Sequence, residues 1–486
     1  MASFFSSLSK IITGSCPSSS SSLPSLSSPI KRIAILGAGP CGLATAKYLR
    51  AQNAFDTITL YERQPANAAG GVWYYTPETA APPSLPQPDP RARPHDCVRG
   101  STPPFFASAM YDELHANIMG SLMQYDEVPF PADARLFPSR QIIRDYVLAY
   151  GRDLQPLVRY SHEVTCVSLS ATPAGVDQWI VEARDLVAGT TSSAVYDAVV
   201  IANGHYTLPY VPSIAGLAEF AAAHPGIVSH SKQYRSKQVF TGKRVIVVGN
   251  GPSGADIARQ IGQVAAQPLY LSVRHATAPD RLAHIGATEV PEISEFLPST
   301  RGVRLIDGTE ISDIDALIFS TGYFFSYPFL EDLQDKLITS GRGVRGLYQH
   351  LFYAEHPTLA FSGLLQQAVP YSVAEAQAAA LAAVWSGKEH LPSLEKMKAW
   401  LQELEAERGE SLHNMPRGTD GAYINELHDW VAKSTVKKPP YWDDHKLWQR
   451  KLFIEAKLRF EKGGCTAKTL EDLGFKYPEV PNESPV

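Results

Sequence analysis

Two copies of one glycine pattern constrain this chain more than anything else in it. The apolar run Ile33-Ala34-Ile35-Leu36 breaks into Gly37-Ala38-Gly39-Pro40-Cys41-Gly42 and then into the helical texture Leu43 to Leu49. Downstream, Val245-Ile246-Val247-Val248 breaks in the same way into Gly249-Asn250-Gly251-Pro252-Ser253-Gly254, followed by a helix from Ala255 to Ile261. A buried strand, G-x-G-x-x-G and a helix make a dinucleotide site. The first glycine permits the tight turn, the second lets backbone approach a pyrophosphate, and the third lets helix and strand pack closely. The diphosphate then rests on the helix N-terminus. Gly37, Gly39, Pro40 and Gly42 are the expected contacts in the first loop, and Gly249, Gly251, Ser253 and Gly254 in the second.

What stands at the tip of each following strand separates the two loops. The run Asp56 to Tyr61 ends at Glu62, twenty residues past Gly42, where a carboxylate accepts both ribose hydroxyls and repels a 2′-phosphate. In the second copy Leu269 to Val273 ends at Arg274, again twenty residues past the last glycine, and a guanidinium suits a 2′-phosphate bidentately. Glu62 therefore asks for FAD or NAD rather than NADP in the first unit, and because Arg274 claims NADPH for the second, the first is expected to hold FAD.

The chain has 486 residues, of which 44% are hydrophobic and 19% charged, which suits two or three packed domains and excludes disorder throughout. Its formal net charge of -5 offers no field for nucleic acid or an anionic membrane, and no run of about 18 apolar residues reads as a membrane span. Five scattered cysteines, without C-x-x-C or metal-ligand spacing, fit a reducing, cytoplasmic setting and no metal site. Cys41 reads as a small residue that fits beside the phosphates. Residues 1–30 are Ser-rich and lack Asp and Glu. That partly suits a transit peptide, but the absence of Arg before Arg32 favours a disordered tail.

Between the loops, Ala69-Gly70-Gly71-Val72-Trp73 sets an aromatic behind a glycine pair, and Thr76 to Pro104 is a Pro-rich irregular excursion. Helices are expected over Tyr111 to Met123 and Ser139 to Tyr150, and strands over Leu157 to Val167, Gln178 to Val181 and Tyr196 to Ala202. Leu208 to Pro212 reads as a linker, Asp307-Gly308 as a hairpin turn and Asp315 to Tyr323 as a buried strand. Helices follow over Tyr371 to Gly387, Ser393 to Arg408 and Tyr423 to Val431. The expected fold is α/β, with two Rossmann-like dinucleotide-binding domains. A discontinuous FAD domain (31–206 and 324–440) holds an inserted NADP domain (207–323), with a tail before it and an extension over 441–486.

With these motifs in order, the chain resembles the flavin-containing monooxygenases, class B flavoproteins, of fungal type. The resemblance rests on GAGPCG at 37–42, GGVW at 70–73, YDELHAN at 111–117, HPGIVSHSKQY at 224–234, GNGPSG at 249–254 and FSTGY at 319–323. It implies that NADPH reduces FAD, that O2 adds at flavin C4a, and that a soft nucleophile takes the distal oxygen while retained NADP+ protects the adduct. It places Val72 and Trp73 against the flavin and Asn117 over the isoalloxazine as the catalytic amide, a group that donates and accepts without titrating. Two departures stand out. Ala116 and Met119 flank Asn117 where the family has Thr and Pro, and His224 occupies a position where it has Phe. His230 reads as a hinge residue, Tyr323 as a packing residue, and His205 as a satisfied histidine at a domain junction.

The resemblance implies NADPH- and O2-dependent oxygenation of nitrogen or sulfur in a small molecule. A Baeyer-Villiger enzyme is the nearest alternative. It is disfavoured because Tyr234-Arg235 stands where that chemistry usually has Trp followed by Pro or Asp. A disulfide reductase lacks its C-x-x-C here, and a non-catalytic nucleotide-binding module is disfavoured by the intact loops. Substrate identity and oligomeric state are not readable from the sequence.

Overall fold

The computed structural model describes residues 29–94, 96–98, 100–171 and 176–478, so the expectation of a disordered tail falls on residues outside this range, apart from Ile30, which is buried in the core. The strand Arg32–Leu36 lies between Thr57–Tyr61 and Ala198–Ile201, parallel to both. Parallel strands covered on both faces are apolar at every position, and alternation then divides the residues between two cores. Ile33 and Ile35 face one apolar cluster, with the helices Pro40–Gln52 and Pro370–Trp385, while Ala34 and Leu36 face another, with Trp179, Phe325 and Phe361. The sheet has seven strands in the order Leu347–Tyr348, Phe352–Tyr353, Leu359–Phe361, Ala198–Ile201, Arg32–Leu36, Thr57–Tyr61, Val158–Arg159. It is thus assembled from two stretches of chain separated by more than 140 residues (201 to 347).

The intervening stretch builds its own parallel sheet, in the order Thr288–Val290, Tyr270–Ser272, Val245–Val248, Ala316–Phe319, Val228–His230. A small antiparallel sheet, Ile293–Leu297, Gly302–Leu305 and Glu310–Ile311, joins it, turning at Asp307-Gly308 with Gly308 at φ +85°. Leu208–Pro209 and Tyr323–Phe324 pair antiparallel, Phe324 opposite Leu208. The chain therefore leaves the first unit and returns to it on neighbouring strands. The fold is α/β, with two dinucleotide-binding units, the second inserted into the first.

Two local expectations are corrected, and one element is added. Between Tyr111 and Met123 only Gly120–Met123 is helical. The preceding YDELHAN segment is an irregular loop whose backbone groups are taken up by neighbouring segments: the Asp112 amide donates to the Arg235 carbonyl at 2.9 Å, and the Ala116 amide to that of Pro138 at 2.8 Å. The strand expected over Leu157 to Val167 is split, Val158–Arg159 in the large sheet and His162–Ala171 in an antiparallel sheet with Asp177–Asp185 and Thr191–Tyr196. Finally, residues 441–478 include a helix, Asp444–Lys462, whose Ala456 and Phe460 are buried in the core cluster of the first unit.

Candidate active site

The two glycine loops are built alike, bond for bond. In the first, Gly37 donates its amide to the Tyr61 carbonyl at 2.8 Å, and Ala202 donates to Leu36 at 2.9 Å. In the second, Gly249 donates to Ser272 at 2.8 Å, and Ser320 donates to Val248 at 2.8 Å. Both helices start from a glycine, with proline at the first helical position, Gly39-Pro40 and Gly251-Pro252. That proline has no amide to leave unpaired. Gly37 and Gly249 adopt φ of +109° and +102°, open to glycine without strain. A Cβ on Gly42 would lie 1.9 Å from the Gly37 carbonyl oxygen, and a Cβ on Gly254 would lie 1.9 Å from that of Gly249. Gly251 has open space around the corresponding position.

Around the first loop, Glu62 is buried, and its two carboxylate oxygens accept the amides of Ala38 and Gln64, each at 2.9 Å. Each oxygen keeps a further lone pair for a hydroxyl. The GGVW turn packs on the loop so closely that a Cβ on Gly71 would sit 2.8 Å from the Gly39 Cα, which brings half-buried Val72 and Trp73 beside Pro40. Two arginines of the helix Arg140–Tyr150 hold the segment around this turn: Arg144 donates to the carbonyls of Ala69 and Asn67, and Arg140 stacks over Tyr75 at 3.7 Å. Burial pushes the Cys41 thiol up to about 12, which leaves it unreactive, and Gly363 approaches so closely that a Cβ there would meet the Cys41 Sγ at 2.4 Å. Beside this wall Ser362 Oγ and Tyr371 Oη are buried without a hydrogen-bond partner among the described residues.

His205 is buried against Tyr206 and Phe325, with the Gly363 backbone as the polar group its ring meets, and burial drops its pKa to about 4, so it is neutral.

Around the second loop, Ser253 is exposed on the first turn of its helix. The position equivalent to Ala38 is Asn250, whose amide group donates to the His275 carbonyl and to Thr277 Oγ1, both at 2.9 Å. Arg274 follows the strand Tyr270–Ser272 with its side chain 66% exposed, and among the described residues its one partner is Glu292, which engages Nε at 3.0 Å. Both terminal guanidinium nitrogens stay open to solvent and to ligand.

The structure thus gathers Gly37, Gly39, Pro40, Gly42, Glu62, Val72 and Trp73 into one group and Gly249, Gly251, Ser253, Gly254 and Arg274 into another. Asn117 belongs to neither. It lies exposed on a bend, where Lys457 of the C-terminal helix donates to the Ala116 carbonyl at 2.8 Å. The same loop reaches the second unit, where Tyr111 donates to Asp256 at 2.6 Å and packs edge-on against Tyr234. At the junction His230 is fully buried, and burial lowers its pKa to about 3. As a neutral ring it donates from Nε2 to the Gly322 carbonyl at 3.1 Å and accepts the Lys232 amide at Nδ1 at 3.1 Å. His224, in place of the family's Phe, packs on Phe220 and bonds the Pro298 carbonyl.

A family profile described as "FMO-like: Flavin-binding monooxygenase-like" matches residues 106–279 and 283–442. The chain belongs to the flavin-binding monooxygenase-like family. It is 31% identical over 434 residues to the thiol-specific monooxygenase of Saccharomyces cerevisiae, covering 85% of this chain and 89% of that one. It is likewise 31% identical over 425 residues to the flavin-containing monooxygenase FMO GS-OX3 of Arabidopsis thaliana, covering 83% and 84%. Among solved structures it shares its fold with the S-allyl-L-cysteine S-oxygenase of Allium sativum, at TM-score 0.71 and 24% identity, covering 91% of this chain and 97% of the other.

This monooxygenase uses FAD and NADPH, and the residues present fit both. Gly251 has open space beside it, a buried carboxylate faces the first loop and an exposed guanidinium stands by the second. Orphaned hydroxyls line the wall behind Cys41. Arg140, Arg144 and Lys232 escaped the reading of the sequence, and Arg235 figured there only in the Tyr234-Arg235 pair, not for the carbonyls it serves. A lone arginine carries no periodicity, and the carbonyls it serves are distant in sequence. No described helix is long and apolar enough to cross a membrane.

Proposed function

We propose that this monooxygenase transfers one oxygen atom of O2 to the sulfur, or by the same chemistry the nitrogen, of a small organic molecule. FAD reduced by NADPH supplies the oxygen-activating chemistry, and the chain's own residues bind, orient and keep water out. Gly37, Gly39, Pro40 and Gly42 take the FAD pyrophosphate on the helix Pro40–Gln52, and Glu62 takes the ribose hydroxyls. Val72 and Trp73 form a wall for the flavin, and Asn117 supplies a non-titrating amide. Gly249, Gly251, Ser253 and Gly254 take the NADPH pyrophosphate, and Arg274 takes the 2′-phosphate. The yeast relative named a thiol-specific monooxygenase supports sulfur.

The observation that carries this reading is that two loops with identical hydrogen bonding end at opposite charges, buried Glu62 and exposed Arg274. The test is to mix purified protein with NADPH and O2 in the presence of thiols, thioethers, amines and ketones. Bleaching of the flavin absorbance by NADPH and an S- or N-oxygenated product are expected. Absence of bleaching, or oxygen insertion into the ketone alone, would overturn the assignment. Replacing Arg274 with Ala should lower the NADPH-over-NADH preference in kcat/KM by about tenfold or more, the scale of a lost charge-assisted contact. An unchanged preference would remove Arg274 from the phosphate site.

A further inference from the structure

A cavity of about 110 Å³ lies away from both glycine loops, between the excursion after the GGVW turn and the first linker, and Lys232 is part of its wall. The apolar part of the wall is Ala80, Pro83, Leu208 and Pro209, and Gln87 and Thr207 are polar. Lys232 is 7% exposed, an unusual place for an ammonium, which is buried only when paired. Among the described residues its one hydrogen-bond acceptor is the Thr207 carbonyl at 2.6 Å.

The nearest carboxylate, Asp96, is 3.9 Å away and already committed. Arg63 holds it with two bonds, at 3.1 and 2.5 Å. Burial, opposed by the nearby charge of Asp96 and reinforced by repulsion from Arg63 and Arg235, brings the Lys232 pKa down to about 8. Near pH 7 the amine is therefore still largely charged. It has three N–H donors and, among the described residues, one hydrogen-bond acceptor and a share of one carboxylate, Asp96, which Arg63 holds more closely. Arg93 stands at the mouth, paired with Glu331 at 3.0 Å.

We infer that this cavity is a binding site for a small organic carboxylate, whose acid group pairs with the Lys232 ammonium and whose short apolar part lies against Ala80, Pro83, Leu208 and Pro209. A carboxylate there adds the counter-charge that Asp96, shared with Arg63, supplies only in part, and a buried charge without full compensation is unfavourable. Because the wall joins the excursion to the linker, the bound acid bridges two segments that belong to different parts of the fold. The site is independent of which atom the enzyme oxygenates.

The experiment uses the full FAD-loaded chain, with propanoate as probe and n-propylammonium and inorganic phosphate as comparisons, followed by calorimetry and by melting temperature. Saturable binding of propanoate with a rise in melting temperature is expected, with none from propylammonium and weaker binding of phosphate, which makes no use of the apolar wall. Lys232→Met should weaken propanoate at least tenfold, and Ala81→Phe, which narrows the same cavity but leaves the ammonium, should do the same. Both variants should retain the flavin spectrum, and if one fails to fold the other decides. No saturable binding, binding unaffected by the variant that folds, or phosphate binding as tightly as propanoate would overturn the inference.

Discussion

At the scale of single residues, two glycines in equivalent places make separate predictions. A Cβ at Gly42 collides with the backbone of its own loop at 1.9 Å, and backbone cannot swing aside as a side chain can. Gly42→Ala is expected to yield protein that has lost most of its FAD, read from the flavin absorbance per chain. Gly254→Ala meets the same obstacle in the other loop, and should keep its flavin while the KM for NADPH rises about tenfold or more. Equal flavin loss in both would show that the loops are not assigned one to each cofactor. These glycines are legible in sequence because their constraint is local: the turn, the strand before it and the helix after it are contiguous.

Buried titratable groups are not legible in this way, and Glu375 illustrates why. Within a run of alanines it reads as one polar position on a helix, yet it is fully buried, accepts the Asp126 amide at 2.7 Å, and has its pKa raised to about 7 by burial. The folded state then binds a proton that the unfolded state has released between about pH 4.5 and 7, so stability should fall as pH rises through that window. Glu375→Gln should flatten the slope and raise the melting temperature at pH 8, by a free-energy difference of about 3 kcal/mol at most. A slope unchanged by the substitution would refute it.

Among whole elements, the helix Asp444–Lys462 is the longest that the sequence concealed. Of its 19 residues only Gln449, Arg450, Ala456 and Phe460 are buried, too thin an apolar stripe to stand out from its charged surroundings. What docks it is an ion pair: Arg450 Nε reaches both oxygens of Asp420, at 3.0 and 2.9 Å, and its Nη2 donates to the Gln367 carbonyl at 2.6 Å. Asp420 in turn accepts the Val369 amide at 2.9 Å, at the start of the helix Pro370–Trp385. Removing Arg450 leaves Asp420 buried without its cation, so Arg450→Ala should cost about 3–5 kcal/mol in urea denaturation. A loss below about 1 kcal/mol would mean that the helix docks by other means. The long Ala-rich helix was readable from its composition, because small residues on every side suit an element buried all round. Its partner helix acquires meaning only through Asp420, some 30 residues earlier.

In the molecule as a whole, one arginine ties the inserted unit to the excursion that precedes it. Arg235 donates to the carbonyls of Thr76, Glu78, Ser108, Met110, Lys232 and Tyr234, at 2.9 to 3.3 Å. Among the described residues, no other side chain at the junction serves so many separate backbone segments. Arg235→Ala should loosen residues 74–110, seen as faster amide exchange there, and should raise the hydrogen peroxide released per NADPH consumed as water gains entry. Unchanged exchange across 74–110 would remove Arg235 from this role. The two-unit plan was legible because each unit repeats one local motif. The joint was not, since it depends on carbonyls that any residue could have offered. The pairing of Leu208–Pro209 with Tyr323–Phe324 has a further consequence. A unit that enters and leaves through adjacent strands is topologically a cartridge, so a different nucleotide-binding unit could be spliced in at these two points without rethreading the flavin sheet.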